Sequence, residues 1–431
     1  MKSAPAKIGA IVIAAAIFIF LSVWIARAYV AIVVGEKPTV SNLQTAAALD
    51  PGDADYALRL GRLYQYSVRD ARPQAAIQEL TRAATLNSYD PQAWLDLGTA
   101  LELQGNTRKA ETCLRRVDYV APDIPDYQWD IGNFFLLHGD TDEAFHHFNM
   151  VLAGNLGYGQ TIYNMAWKAS GDAGKILQEL IPADDYNWLD YLGYLLATHR
   201  LADATAVWDR IAASPEKFAP SRVAGYIDAL ISSHQPDEAY KVWGVLRDKG
   251  LIPPTDEATP ENRVENGDFE EQPLNMGFGW RIAQITGIFV GLDSSVYHSA
   301  THSLLIQFPG TQNFEYRNVY EFVPVTPNHY YRLMAYMKTD GITTDSGPRM
   351  EVRDAYNPAA LDKYSDALTG TTAAWHPLSI YFRTGSKTSL VFVVIARPAS
   401  GEFENKIAGR VWVDDVSVVP ESGPPGTTPR L

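Results

Sequence analysis

The spacing of apolar residues changes twice along this chain, and each change marks a different kind of element. Residues 8–25, IGAIVIAAAIFIFLSVWI, form an uncharged run, and AYVAIVVG extends it after Arg27. A bilayer core is crossed by roughly 20 apolar helical residues, so the pattern predicts a membrane span over 8–34. Residues 41–250 are Ala- and Leu-rich and read as helix. After 264 come short runs of alternating β-branched and aromatic residues: HSLLIQF, VYEFVPV, YYRLMAYMKT, RMEVRDAY, WHPLSIYFRT, SLVFVVIARP and RVWVDDVSVV. Gly, Pro, Asn and Ser separate them, the pattern of an antiparallel β-sandwich. The expected architecture is multidomain, α then β. It has an n-region at 1–7, a transmembrane signal anchor at 8–34 and a helical array at 41–250. A linker at 251–263, a sandwich at 264–420 and a disordered tail at 421–431 follow.

Lys2 and Lys7 precede the apolar run. The positive-inside rule then places the N-terminus in the cytoplasm and the bulk of the chain outside, as in a single-pass protein of the bacterial inner membrane facing the periplasm. ARA at 26–28 fits a small-residue cleavage site, so a cleaved, secreted form is the alternative. An h-region of about 7–15 residues is usual for cleaved signals, and the longer run here favours the uncleaved anchor. The formal net charge of −14 argues against a nucleic-acid partner, whose phosphates demand a basic face, and none is expected. The single cysteine, Cys113, excludes an internal disulfide and a Cys-based zinc site.

The helical part repeats itself. In DPQAWLDLGTALELQGNTRKAETCLRRVDYVAP, the residues Trp94, Leu97, Gly98, Leu101, Gly105, Ala110, Leu114, Val117 and Pro122 fall at the spacing of a tetratricopeptide repeat. A second copy carries Ile131, Gly132, Phe135, Gly139, Ala144, Phe148 and Val151, with Gln128 and Leu156 standing where Trp94 and Pro122 would recur. Worn copies precede and follow, and YNMAWKASGDAGKILQELIP reads as a shortened unit. Residues 41–250 therefore resemble the tetratricopeptide repeat family. That resemblance implies a superhelix whose concave face binds a protein partner, and most of its aromatic residues are expected in the core.

The order NGDFE, GW, SLLIQF, then W..LSIYFRT, SLVFVVI and VWVDDVSVV resembles the jelly-roll, galactose-binding-like carbohydrate-binding modules of the xylanase-associated type, over about 262–420. The Gly that usually starts the SL.I strand is absent from SATHSLLI. The resemblance implies a structural calcium tying the first strand to the last, with Asp268, Glu270, Asp414 and Asp415 as candidate ligands. Strand alternation puts Trp412, Asp414 and Val416 on one face and Val413 with Asp415 on the other, so only one of the two aspartates is expected to reach the NGDFE edge. The alternative is a plain turn with solvated acids. For glycan binding, Tyr316, Arg317, Tyr336, Arg353 and Tyr356 are the candidates, expected in loops or on an outer sheet face. A spacer or protein-contact role is the alternative for such a sandwich.

Recognisable catalytic arrangements are absent from the sequence: there is no G-x-S-x-G elbow, no H-E-x-x-H and no Walker loop. EAFHHF holds one E-x-x-H, short of the pair a di-iron bundle needs, and its His146 and His147 are expected at exposed helix positions. No enzyme is expected. The chain reads as a membrane-anchored scaffold or adaptor with protein-binding repeats and a glycan-binding sandwich, placed in cell-envelope polysaccharide assembly or export. The alternatives are a protein-only assembly factor whose β-sandwich is structural and, third, an enzyme with an unrecognised site in the sandwich.

Overall fold

The structure, a computed structural model, describes residues 4–254 and 261–423. Residues 1–3 of the expected n-region, 255–260 of the expected linker and 424–431 of the expected tail lie outside them. The chain divides into two compact units, Met1–Pro182 and Ala183–Leu431.

The first unit is helical: α1 (Ala4–Gly35), α2 (Val40–Leu49), α3 (Ala54–Tyr66), α4 (Pro73–Leu86), α5 (Pro91–Leu103), α6 (Thr107–Val120), α7 (Pro125–Leu137), α8 (Thr141–Ala153), α9 (Gly159–Ala169) and α10 (Ala173–Lys175), which runs on into a π-helical turn at Ile176–Leu180. Local chemistry sets the boundaries. Asp53, Asp90 and Asp140 accept the backbone N–H of Asp55, Gln92 and Glu143 at helix starts, and Pro73, Pro91 and Pro125 open the first turns. Successive helices pair antiparallel where small residues allow it. A Cβ on Gly61 would sit 2.6 Å from Leu80 Cγ, and one on Gly132 would sit 2.7 Å from Phe148 Cε1. Gly105 and Gly139, in the turns, have φ of 76° and 81°, which glycine alone adopts freely. The shortened unit is α9 with α10 and its π turn.

Among the described residues, α1 is the one helix long and apolar enough to cross a membrane. Its end does not stop short of the repeats. Ala31 is buried with Leu43, Ala46, Tyr56 and Leu60, Arg59 donates to the Gly35 carbonyl at 2.7 Å, and Arg27 donates to the carbonyls of Ala48 and Leu49. The last turns of α1 thus serve as the partner of α2.

The second unit holds α11 (Asp185–Ala197), α12 (Leu201–Ala213), a 3-10 turn (Pro220–Val223), α13 (Ala224–Ser232) and α14 (Pro236–Asp248), followed by ten strands. These are β1 (Arg281–Ile282), β2 (Phe289–Asp293), β3 (Ser303–Pro309), β4 (Tyr316–Pro324), β5 (Tyr330–Asp340), β6 (Arg349–Asp354), β7 (Asp362–Tyr364), β8 (His376–Arg383), β9 (Leu390–Arg397) and β10 (Ala408–Glu421). They form two antiparallel sheets of order β1-β4-β9-β6-β7 and β2-β3-β10-β5-β8. Leu304, Leu333 and Val411 from one sheet meet Val319, Val352 and Val393 from the other in a common core. Each expected strand is present; the short β1, β2 and β7 are additions that the pattern did not reveal.

The compact division does not fall at 251–263. The described ends of that segment are packed: Ile252 is buried, Arg263 N–H donates to the Val418 carbonyl at 3.0 Å, and Asn262 Oδ1 accepts from Val264 and Val418. Helices α13 and α14 dock on the sandwich. Arg281 pairs with Asp228 at 2.5 Å, Arg247 pairs with Glu265, and Tyr356 donates to the Ile231 carbonyl at 2.9 Å. Tyr240 and Trp243 meet Phe278 edge to face. The last helices and the sandwich are therefore one packed body.

Candidate functional site

The stretch NGDFEE, residues 266–271, starts the sandwich through backbone geometry. Asn266 and Phe269 have φ of 50° and 51°, and the Asn266 side chain closes the loop by accepting from Glu271 N–H and donating to its carbonyl. Gly267 is required: a Cβ there would lie 2.0 Å from the Val416 carbonyl oxygen, and the Gly267 carbonyl accepts the Val416 N–H at 2.8 Å. Phe269 then buries its ring against Trp280.

The acids do not do what the resemblance implies. Their partners lie in the loop 298–302. Asp414, fully buried, accepts the backbone N–H groups of His298 at 2.7 Å, Ser299 at 3.2 Å and Asp415 at 2.8 Å. Asp415 accepts from His298 Nδ1 at 2.5 Å and Ser299 Oγ at 2.6 Å. Glu270 accepts from Thr301 N–H, Thr301 Oγ1 and His302 N–H. Burial raises the Asp414 carboxyl to about 6, against the pull of its three N–H donors. Burial also opposes ionisation of Glu270, but the hydrogen bonds from Thr301 and His302 prevail and hold it down at about 2.

Strand parity fails because β10 carries a bulge between Asp414 and Ser417 and Asp415 has φ of 49°. Both aspartates therefore reach residues 298–299, Asp414 at their backbone N–H groups and Asp415 at their side chains, and the NGDFE edge meets Val416 instead. Ala300, in the same loop, takes the left-handed conformation with φ of 49°. A calcium ion needs 6–8 converging oxygens. Here Asp414, Asp415 and Glu270 point their oxygens at N–H and O–H donors, and no group of three acidic, His or Cys side chains among the described residues could hold a metal. The residues do not fit calcium.

Beside this clasp lies a cleft of about 770 Å³. Glu265, Asp268, Glu270, Glu271 and Asp415 line it together with Trp243, Trp280, His298, Met334 and Tyr336. The His298 imidazole lies flat on the Tyr336 ring, centroids 3.7 Å apart, with Trp375 at its edge. Carboxylates and ring surfaces thus line the same cleft, a combination able to accept hydroxyl protons and to pack sugar carbons.

Of the residues expected to contact sugar, only Tyr336 lines this cleft. Tyr316 is 1% exposed, facing the core, and cannot present its ring. Arg317 and Arg353 stand on the other sheet. Arg317 bonds Glu351 at 2.7 Å and the Tyr364 hydroxyl at 2.7 Å, and Arg353 lies over Phe392. Tyr356 stacks on His234 at 4.2 Å and is used in docking α13. The sequence signal for the cleft was the acid-rich NGDFEE turn; the contributions of His298 and Trp243 carried none.

The first unit has its own groove, about 460 Å³, lined by Tyr66, Leu95, Asp96, Asp130, Phe134 and Leu137 among others. It is formed mainly by α5 and α7, the first helices of their pairs. Asp96 is buried and paired with Arg62, whereas the Asp130 carboxyl is held above its ordinary range by desolvation and by Asp126 and Asp96. His147, expected exposed, is buried, bonded to the buried Gln128 at 2.5 Å and stacked on Phe135. Gln128 supplies a polar partner where the repeat usually places an aromatic ring, so His147 turns inward. Burial raises the Cys113 thiol to about 11, which leaves it unreactive.

Residues 68–128 match the tetratricopeptide repeat family model. A comparison with curated proteins found no match. Among solved structures, similarity extends to the MamA protein, 14% identical over 49% of this chain and 80% of that one, TM-score 0.25. It extends to the enzymatically active domain of bacteriophage CBA120 tailspike protein 4, 14% identical over 37% of this chain and 22% of that one, TM-score 0.28. A Clostridium thermocellum endo-1,4-beta-D-xylanase 10B, in its CBM22-1 and GH10 modules complexed with xylohexaose, is 10% identical over 38% of this chain and 29% of that one, TM-score 0.27. With the paired helices and the family match together, the helical part of this chain is a tetratricopeptide repeat array, and a two-sheet antiparallel β-sandwich follows it.

Proposed function

We propose that this chain is a membrane-anchored adaptor, held by α1 and exposed on the periplasmic side of a bacterial inner membrane. In this reading its repeats hold a protein partner and its sandwich holds a glycan of the cell envelope. The repeat groove supports the first role, since Tyr66, Leu137 and Phe134 offer apolar contact beside carboxylates. The observation that carries the second is the 770 Å³ cleft, where a stacked His298–Tyr336 pair adjoins five carboxylates. Sugar sites combine the same two elements, apolar ring surface for the C–H face and fixed acceptors for hydroxyls.

The test is binding of the detergent-solubilised full chain to a broad glycan array, repeated with Tyr336→Ala. Specific capture that the substitution abolishes, with melting unchanged, is the expected result. A blank array from folded protein overturns the glycan role. A second reading, a protein-only assembly factor, draws support from the docking of α13 and α14 on the sandwich, because a domain packed on repeats can serve to extend them. It predicts partner capture without any glycan affinity.

A further inference from the structure

The helix that reads as the membrane span does not end on a tether. Residues 8–27 rise about 30 Å at 1.5 Å each, the depth of a bilayer core, which leaves Arg27 where the hydrocarbon stops. Its guanidinium donates to the carbonyls of Ala48 and Leu49, at 3.2 and 3.3 Å, at the end of α2. Ala31 and Gly35 then pack against Ala46 and Tyr56, and Arg59 donates to the Gly35 carbonyl. The connection has no slack. Helix α2 turns back along α1, and the loop at 50–53 returns to the level of the headgroups, a layer about 5–8 Å deep beyond the core.

The face of α1 turned away from α2 stays apolar beyond Arg27. Tyr29, Ile32 and Val33 are each at least 49% exposed, while Ala31 is buried. Such surface costs about 25 cal/mol per Å² in water, and the bilayer is the apolar phase at hand.

The same end of the array carries a row of arginines and rings. The helices run antiparallel, so the loops at 50–53 and 87–90 share one end. Arg82 donates to the Pro51 carbonyl and Arg116 to the Ser88 carbonyl, both at 3.1 Å. Tyr89 and Tyr119, 72% and 71% exposed, flank the Arg116 guanidinium at 5.5 and 4.9 Å. Tyrosine favours the water–lipid boundary, and a guanidinium pairs well with phosphate. Asp50, Asp53 and Asp90 lie in the same loops, so this end bears both signs, as a zwitterionic headgroup does.

From these observations we infer that this end of the array, the loops at 50–53 and 87–90 with Tyr89 and Tyr119, rests on the phospholipid headgroups of the membrane that α1 crosses. The inference rests on the anchored reading above and adds an orientation to it. The helices of the first repeats stand on the bilayer, and a protein partner of theirs is met within about 20 Å of it, one helix length.

The experiment places a fluorophore on Tyr89→Cys or on Leu103→Cys in the full chain, reconstituted into phosphatidylcholine nanodiscs that carry a headgroup spin label. The two exposed positions lie at opposite ends of α5, about 20 Å apart. The native chain, whose Cys113 is buried, gives the labelling background. The label at 89 is expected to lose most of its fluorescence to the spin-labelled headgroups, and the label at 103 to keep most of its own. In chain that co-purifies with the discs, equal quenching at the two positions, or none at either, overturns the inference and leaves the anchor in place. Chain that fails to co-purify with the discs overturns the anchor itself, and this inference with it.

Discussion

Gly277→Ala tests the packing of the last helix pair on the sandwich. Gly277 has φ of 52°, and an added Cβ would lie 2.4 Å from Trp243 Cζ3 and 2.6 Å from Cε3. Trp243 cannot swing away freely, since it is 1% exposed and its ring meets Phe278 at 6.1 Å. The left-handed backbone costs an L-residue about 1–2 kcal/mol, and forcing a packed ring aside costs about 1–3 kcal/mol. The sum, about 2–5 kcal/mol, corresponds to a fall in Tm of about 5–15 °C for a unit of this size. Gly193→Ala is the matched comparison. Gly193 lies exposed inside α11 with nothing within 4 Å of its would-be Cβ, so Ala should gain up to about 1 kcal/mol of helix propensity. The assay is thermal unfolding of the detergent-solubilised full chain, followed by circular dichroism and by tryptophan fluorescence. If Gly277→Ala melts with the native chain, or the two substitutions shift Tm alike, α14 is not packed against the sandwich as described.

Three further expectations follow from buried polar groups. Tyr316 has a buried hydroxyl without an acceptor among the described residues, so Tyr316→Phe should be neutral or stabilise by up to about 1 kcal/mol in urea unfolding and leave glycan binding unchanged; a clear loss of stability would contradict its placement. Glu321 is fully buried with one bond among the described residues, from Glu265 N–H at 2.7 Å, and burial pushes its carboxyl well above the ordinary value. A raised carboxyl favours folding below the unfolded pKa and loses that contribution as pH rises through the folded one, so Glu321→Gln should stabilise the chain at neutral pH and its advantage should vanish in acid. If the stability difference between the two proteins stays constant with pH, Glu321 is not buried as a neutral acid. Calcium should shift Tm by less than about 1 °C, whereas a filled site at a hundred times its Kd would add about 2.7 kcal/mol; a calcium-dependent rise, reversed by chelator, would show that the clasp opens to receive the ion.

Much of the architecture was legible because it depends on periodicity. The uncharged run at 8–25, the recurrence of Gly98, Ala110 and Leu114 in Gly132, Ala144 and Phe148, and the alternation in RMEVRDAY each record a local repeat of backbone geometry. Gly267 could be read as a turn residue from its neighbours, although the reason it must be glycine, the Val416 carbonyl, lies far along the chain. The sites were less legible. Tyr316 and Tyr336 look alike in sequence, yet one faces the core and the other a cleft, because strand parity is reset wherever a bulge or turn intervenes.

What the sequence by itself determined was the kind of each element and its order, since helix and strand periods are set by interactions between residues a few positions apart. What only the tertiary structure decided was which distant groups meet. Asp414, Asp415 and Glu270 close on the 298–302 loop, α14 brings Trp243 to the cleft, and the end of α1 packs against α2 and α3. The physical reason is that a carboxylate takes whichever donors the folded backbone places within hydrogen-bond reach, and that choice is settled by long-range packing.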